Sequence, residues 1–150
     1  MGLQYRIRRV VLRDLCRVQE IENASFGREA YDCKLFAYYF RRCGGLFLVA
    51  ERRGLVCGYM ITLVRGSARA ELVSVAVDPA ARGSGAASAL LERTLQRLRR
   101  RQVARFHLVV RVGNRAALAF YNKFGFRRIR RVPGYYGAGR DGIAMSRFVA

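Results

Sequence analysis

Val73-Ser-Val-Ala-Val77-Asp-Pro-Ala-Ala-Arg82-Gly-Ser-Gly85-Ala-Ala87-Ser-Ala-Leu-Leu91 is the stretch that decides how this chain folds. A β-branched apolar run stops at Asp78-Pro79, a glycine-spaced turn carrying Arg82 follows, and Ala87, Leu90, Leu91, Leu95 and Leu98 then recur at helical spacing. Strand, glycine turn and helix in that order make the local chemistry of an anion-binding loop. Glycines let backbone N–H groups approach a ligand, and the first turn of the helix presents unpaired N–H groups at its positive end. The expected guest is a phosphate or pyrophosphate.

Working outward, Tyr5 to Val11 alternates as a short strand, and a helical pattern runs from Leu12 through Val18 and Ile21 until Ser25-Phe26-Gly27 breaks it. Tyr31 to Phe40 is a second helical stretch, closed by Gly44-Gly45. Leu46 to Ala50 and Val56 to Val64 read as strands joined by an Arg52-Arg53-Gly54 turn, and Glu71 to Val77 as a third. Beyond the central helix come a buried strand, Phe106 to Val110, and a short helix from Arg115 to Lys123 with Asn114 as its N-cap and Gly125 at its end. Phe126 to Val132 and Gly142 to Phe148 form a last strand pair around a glycine-rich loop. No internal repeat or linker interrupts residues 1–150, which read as one domain.

The 150 residues are 52% hydrophobic and 26% charged, outside the low-hydrophobicity regime of disorder, and a domain of this size buries roughly 70% of its unfolded surface. No run approaches the roughly 20 apolar residues of a membrane span, and Met1 to Arg6 lacks a signal-peptide core, so a cytoplasmic location is expected and no membrane partner. Cys16, Cys33, Cys43 and Cys57 show no C-x-x-C spacing and His107 is the only histidine, so neither a zinc site nor a disulfide framework is expected. A net charge of +19 comes from arginine above all, clustered at Arg97, Arg99, Arg100 and Arg101 and at Arg127, Arg128, Arg130 and Arg131. These clusters read as solvated faces and helix C-terminal charges, or as the approach surface for an acidic partner such as the ribosome.

Several phosphate-binding loops share glycine turns. A Walker loop requires G-x-x-x-x-G-K-[ST], and no lysine stands here. Gly83-Ser84-Gly85-Ala86-Ala87-Ser88 nearly meets the dinucleotide fingerprint, but Val103 to Arg111 contains no acid for a ribose. What remains is [RQ]-x-x-G-x-[GA] after a V-x-V-x-P strand end, and with it the chain resembles the GNAT-superfamily N-acetyltransferases. Asn114-Arg-Ala-Ala117-Leu-Ala-Phe-Tyr121-Asn-Lys-Phe124-Gly125-Phe126 is similar to the N-x-x-A-x-x-[FL]-Y-x-x-x-G-F element of that superfamily. Pro133-Gly-Tyr135-Tyr136-Gly-Ala-Gly139-Arg140-Asp141-Gly-Ile-Ala144-Met145 resembles the Y-Y-x-D-G-E-D-A-x-x-M hairpin of RimI-like and arrest-defective-type N-terminal acetyltransferases. Arg28-Glu29-Ala30-Tyr31 is similar to the E-N-Y segment of the arrest-defective type, and Ala24-Ser25-Phe26 to the A-S-F segment of RimI-like proteins.

The resemblance covers nearly the whole chain. It implies a mixed α/β fold with a central, mostly antiparallel sheet, one parallel pair at the cofactor cleft, and flanking helices. It implies acetyl-CoA as donor, CoA as product, and acetylation of the N-terminal α-amine of a protein or peptide. Val75, Ala76 and Val77 would hold the pantetheine arm, Arg82, Gly83, Ser84, Gly85, Ala86 and Ala87 the pyrophosphate, with Asn114 and Tyr121 completing the donor site. Glu29, Tyr31, Tyr135 and Tyr136 would meet the acceptor.

Transfer from a thioester to an amine needs a neutral nucleophile, an oxyanion donor and a proton for the departing thiolate. Tyr121 is the candidate acid, since a phenol is protonated at neutral pH. For the base, Glu29 is the carry-over from the resemblance. His107, on the same side of its strand as Val109, and Glu71 are the other two candidates. The L-E-V-R pattern of RimI-like proteins reads Leu108-Val109-Val110-Arg111 here, and Ala138 and Arg140 replace two acids of the hairpin. An α-amine is roughly a tenth neutral at pH 7 and a lysine only a few parts in ten thousand, a gap of about 3 kcal/mol, so losing a carboxylate favours an N-terminal acceptor. A small-molecule or lysine amine is the alternative acceptor, and a catalytically degenerate acyl-CoA-binding module is the non-enzymatic alternative.

Overall fold

The computed structural model describes residues 5–66 and 68–150, with Glu29 described in its backbone only. Seven strands, β1 (Arg6–Arg9), β2 (Phe47–Arg52), β3 (Leu55–Arg65), β4 (Arg69–Val77), β5 (Arg105–Arg111), β6 (Arg127–Val132) and β7 (Gly142–Phe148), form one sheet in the order β1-β2-β3-β4-β5-β7-β6. Helices α1 (Leu15–Phe26), α2 (Cys33–Arg42), α3 (Ala86–Arg100) and α4 (Arg115–Lys123) complete the mixed α/β fold. The parallel ladder joins β4 to β5 over Arg69↔Arg105, Ala70↔Phe106 and Glu71↔His107, while β1–β2, β2–β3, β5–β7 and β6–β7 are antiparallel. The chain divides into two compact units, Met1–Leu63 with Leu72–Arg101 and Val64–Glu71 with Gln102–Ala150.

In the first unit β2 is buried on both faces, which its unbroken run Phe47-Leu48-Val49-Ala50 anticipates. One core joins Val18 and Ile21 of α1 and Phe36 of α2 to Phe47, Val49, Tyr59 and Ile61 of the strands. The Phe36 ring meets Tyr59 edge-on at 5.7 Å. On α3, Leu90, Leu91, Thr94, Leu95 and Leu98 make the buried stripe, and Thr94 Oγ1 donates to Met60 Sδ at 3.4 Å. Gly58 lets β3 approach: a Cβ there would lie 3.1 Å from the Ala76 carbonyl and 3.5 Å from Leu90.

Among the boundaries that differ from the periodicity, two have local causes. Leu12–Asp14 is a turn of 3₁₀ helix, because the Asp14 carboxylate accepts the Val11 N–H at 2.8 Å and both ends of the Arg8 guanidinium at 2.8 and 3.0 Å. Arg8 also reaches Glu51 at 2.8 Å. Helix α2 starts at Cys33, not Tyr31, because Asp32 caps it, accepting the Leu35 N–H at 3.0 Å.

In the second unit, Phe106, Leu108 and Val110 alternate inward on β5 and pack with Phe126, Ile143 and Met145. Phe126 sits 5.5 Å from Phe106 and 5.6 Å from Tyr121, centroid to centroid. The left-handed Gly125 (φ 88°) ends α4, with its N–H on the Asn122 carbonyl at 3.0 Å. Strand β6 is exposed almost throughout, as a sheet edge crowded with Arg127, Arg128, Arg130 and Arg131. All four cysteines are free thiols, Cys43 and Cys57 buried. No helix among the described residues is long and apolar enough to cross a membrane.

Because α3 is held to the sheet by its leucine stripe, Leu90→Ala is expected to cost about 2–5 kcal/mol in urea unfolding at pH 7. A loss below about 1 kcal/mol would contradict the packing described.

Candidate active site

The end of β4 and the start of α3 carry the residues expected on the donor side from Val75 to Ala87, all within the first compact unit. Along β4, Leu72, Ser74 and Ala76 are buried, and Val73, Val75 and Val77 lie on the other, half-buried face. The strand stops where the Asp78 N–H donates to the Cys57 carbonyl at 2.7 Å and Pro79 opens a 3₁₀ turn. The Asp78 carboxylate accepts the Ala80 N–H at 3.2 Å and pairs with Arg17, which hold it below the usual carboxylate range. Arg82 reaches back to the Val77 carbonyl and the Ser25 hydroxyl, both at 3.3 Å.

Gly83 (φ 76°) and Gly85 (φ 93°) are left-handed, and a Cβ at either would meet nothing within 4 Å. Glycine is needed there for its backbone conformation, not for want of space. Gly85 is the N-cap of the fifteen-residue α3, which has no side-chain cap and no acid in its first turn. The N–H groups of Ala86, Ala87 and Ser88 are therefore left to an outside acceptor, with Arg82 beside them in sequence. That donor set fits a pyrophosphate. Ser84 contributes differently from a direct side-chain ligand: its hydroxyl donates to the Ala81 carbonyl and lies 2.5 Å from the Tyr5 hydroxyl, so it braces the loop.

The second unit carries the other candidates. Asn114 caps α4, its Oδ1 accepting the Ala117 N–H at 3.1 Å, which leaves its amide nitrogen as the part of the side chain the cap does not use. Tyr121 is 6% exposed on the inner face of α4, and burial, then the Tyr136 phenol, raises its pKa, so its proton stays on Oη at neutral pH. Tyr136 donates to the Val109 carbonyl at 3.0 Å, carries the Arg111 guanidinium 4.8 Å above its ring, and meets Tyr135 edge-on at 4.9 Å. Asp141 locks the turn, accepting the Gly134 N–H at 2.8 Å and the Arg131 guanidinium at 2.7 Å, while the Tyr136 N–H donates to the Arg140 carbonyl at 2.9 Å.

The base candidates fare unequally. His107 and Val109 share a face of β5, and Arg69 Nε donates to His107 Nε2 at 3.3 Å. Burial, with Arg69 and Arg105 nearby, lowers the histidine's pKa, so the ring is neutral but its acceptor nitrogen is engaged. Glu71 pairs with Arg65 at 2.8 Å. Glu29 closes a 3₁₀ turn, Gly27–Glu29, and its side chain lies outside the described residues. Among the described residues no group of three His, Cys, Asp or Glu side chains could hold a metal.

Two features escaped the sequence reading. A Cβ on Gly142 would lie 2.5 Å from Val109 Cγ1 and 3.3 Å from Tyr135 Cβ, so the glycine, where the resembled hairpin has alanine, accommodates the valine that replaces glutamate. Glu22 of α1 is 1% exposed, accepting from the Tyr59 hydroxyl and from the Tyr31 N–H at 2.9 Å. Tyr59 Oη in turn lies 3.0 Å from Ser74 Oγ on β4. The signal for Glu22 was a carboxylate on the face marked by Leu15, Val18 and Ile21.

The strand of the parallel pair runs into an uncapped, glycine-led helix N-terminus, an anion site of the kind a CoA-dependent transferase needs for its donor's pyrophosphate. Residues 12–126 match the acetyltransferase (GNAT) family model, and the chain belongs to that family. It is 30% identical to an N-alpha-acetyltransferase of Sulfolobus acidocaldarius, covering 96% of this chain and 92% of that protein. It is similar in structure to Ard1 from Thermoplasma volcanium (TM-score 0.93, 28% identity, 99% of each chain). It is similar also to the ribosomal-protein-S18-alanine N-acetyltransferase from Escherichia coli (TM-score 0.85, 28% identity, 97% of this chain and 94% of that one). The protein is an N-acetyltransferase with acetyl-CoA as donor.

Gly142→Ala should destabilise by about 1–3 kcal/mol through overpacking, and Val109→Ala in the same chain should recover about 1 kcal/mol or more of that loss. Strict additivity of the two substitutions in urea unfolding would contradict the contact. Burial raises the Glu22 pKa above the usual carboxylate value, although Tyr59 and the Tyr31 N–H oppose it. Its contribution to stability is thus full below the unfolded value and lost as pH rises through the folded one. Wild type minus Glu22→Gln, followed by thermal unfolding from pH 4 to 7, should fall with pH. A difference that rises with pH would mean the folded carboxyl is more acidic than the unfolded one.

Proposed function

We propose that this enzyme acetylates the α-amine at the N-terminus of a protein or peptide. The observation that carries the reading is the Pro133–Asp141 turn. Asp141 accepts the N–H of Gly134, just before the tyrosine pair, and the Val109 carbonyl accepts from Tyr136, so the edge-on pair offers an aromatic surface suited to a peptide backbone. The N-alpha-acetyltransferase activity of the archaeal relative supports the same acceptor class.

Bound acetyl-CoA supplies the thioester carbonyl that a neutral amine attacks. In this reading the backbone of Val75, Ala76 and Val77 holds the pantetheine arm and donates to the developing oxyanion, while Arg82 and the Gly83–Ala87 N–H groups hold the pyrophosphate and Asn114 borders the donor. Tyr121 keeps a proton on Oη for the departing thiolate. Glu29, Tyr31, Tyr135 and Tyr136 line the acceptor side. With valine at 109 and the His107 acceptor engaged by Arg69, a substrate already partly neutral at pH 7 suits the chain better than a lysine. Residues 1–150 act as one catalytic domain in this proposal, and the exposed arginines of β6 face an acidic partner such as the ribosome.

Thiol release with acetyl-CoA should be faster with short peptides bearing a free α-amine than with α-blocked lysine peptides or polyamines. A preference for the polyamines would overturn the acceptor assignment. Tyr121→Phe is expected to lower kcat by about 10²-fold or more while acetyl-CoA affinity stays within about twofold, and unchanged kcat would remove Tyr121 as the acid.

A further inference from the structure

Two α1 side chains, three residues apart on one face, hold both backbone polar groups of Tyr31. Glu22 Oε2 accepts its N–H at 2.9 Å, and Gln19 Nε2 donates to its carbonyl at 2.7 Å. The other Glu22 oxygen accepts from the Tyr59 hydroxyl, which is linked to Ser74 at 3.0 Å. A continuous hydrogen-bonded chain thus runs from β4 through β3 and α1 to the segment between α1 and α2. The ring of Tyr31 is set by Phe36 at 6.0 Å and Tyr39 at 6.5 Å, and its hydroxyl reaches the Val73 carbonyl of β4 at 3.5 Å. All these groups lie in the first compact unit.

The energetics are unusual for a core position. Glu22 is a carboxylate at 1% exposure whose partners are a phenol and a peptide N–H, with no cation among them. Desolvating a carboxylate costs several kcal/mol, and an apolar side chain would be the less costly choice if the partners were apolar too. An apolar residue could not, however, accept the Tyr31 N–H. What the carboxylate adds is the placement of one peptide segment, the one that carries Glu29 and Tyr31.

We propose that Glu22 is a positioning residue for the acceptor: with Gln19 it clamps the Tyr31 backbone, and through Tyr59 and Ser74 it fixes the α1–α2 segment relative to β4. The clamp governs acceptor binding and leaves donor binding alone. The proposal rests on the reading that Glu29 and Tyr31 face the acceptor amine.

The test pairs kinetics with amide hydrogen exchange. Glu22→Ala should raise the acceptor KM about tenfold or more, with the acetyl-CoA KM within about twofold, and should speed exchange of the Tyr31 amide. Glu22→Gln should restore both, because its Oε1 can accept the Tyr31 N–H while its Nε2 donates to Tyr59, whose own proton turns to Ser74. Gln19→Met, which keeps the helix and the side-chain volume, should raise the acceptor KM in the same direction even if Glu22→Ala does not fold. Unchanged Tyr31 exchange in Glu22→Ala would overturn the clamp. Faster exchange with an unchanged acceptor KM would overturn its role toward the acceptor. If wild type acetylates an amine other than a peptide α-amine, the N-terminal reading fails, and the same KM comparison with that amine still decides the proposal.

Discussion

Asp78 fixes where β4 ends: the Cys57 carbonyl holds its N–H, the Ala80 N–H and Arg17 hold its carboxylate, and Pro79 withholds the next backbone donor from the sheet. The chain must therefore leave the strand at that residue and pass through two left-handed glycines before α3 begins. Leu90, Leu91, Leu95 and Leu98 bury that helix, so its uncapped N-terminus is a fixed feature and not a fraying end. Shifting the stop by one residue would turn Ser74 and Ala76 outward and exchange the two faces of β4. Ser74 is also the last link of the Glu22 chain, so the same register that presents the donor loop sets the segment proposed to meet the acceptor.

The second unit is organised by compensation. Valine at 109 removes a proton acceptor and adds a branched methyl, and Gly142 leaves space for that methyl across the β5–β7 ladder. The Val109 carbonyl accepts from Tyr136, so the backbone at this position has a structural task of its own. Asp141 performs locally what several residues do elsewhere, closing the turn through Gly134 and tying it to β6 through Arg131. The outcome is a turn whose two tyrosines meet edge-on, with a valine and not a carboxylate at position 109.

Local signals made much of this legible in the sequence. The glycine turn, the leucine stripe of α3, the Asn114 cap and the Gly125 stop each lie within one element, and the strand and helix that they predict are present. Boundaries set by distant partners were harder to read. β4 begins at Arg69 because Arg69 and Ala70 pair with β5, more than thirty residues away. Among the candidates, Tyr121 and the tyrosine pair were expected from motif spacing, whereas Glu22 was not. A carboxylate on a helix is usually solvated, and only the fold brings Tyr59, Ser74 and the Tyr31 N–H around it.

Which nitrogen receives the acetyl group separates the N-terminal acceptor from every other amine. The most direct measurement incubates the protein with acetyl-CoA and a peptide that carries both a free N-terminal amine and an internal lysine, then locates the added mass by fragmentation mass spectrometry. Acetyl is expected on the α-nitrogen, with the lysine unmodified. Acetyl on the lysine, or an unmodified peptide while a small amine in the same mixture is acetylated, would contradict the N-terminal reading.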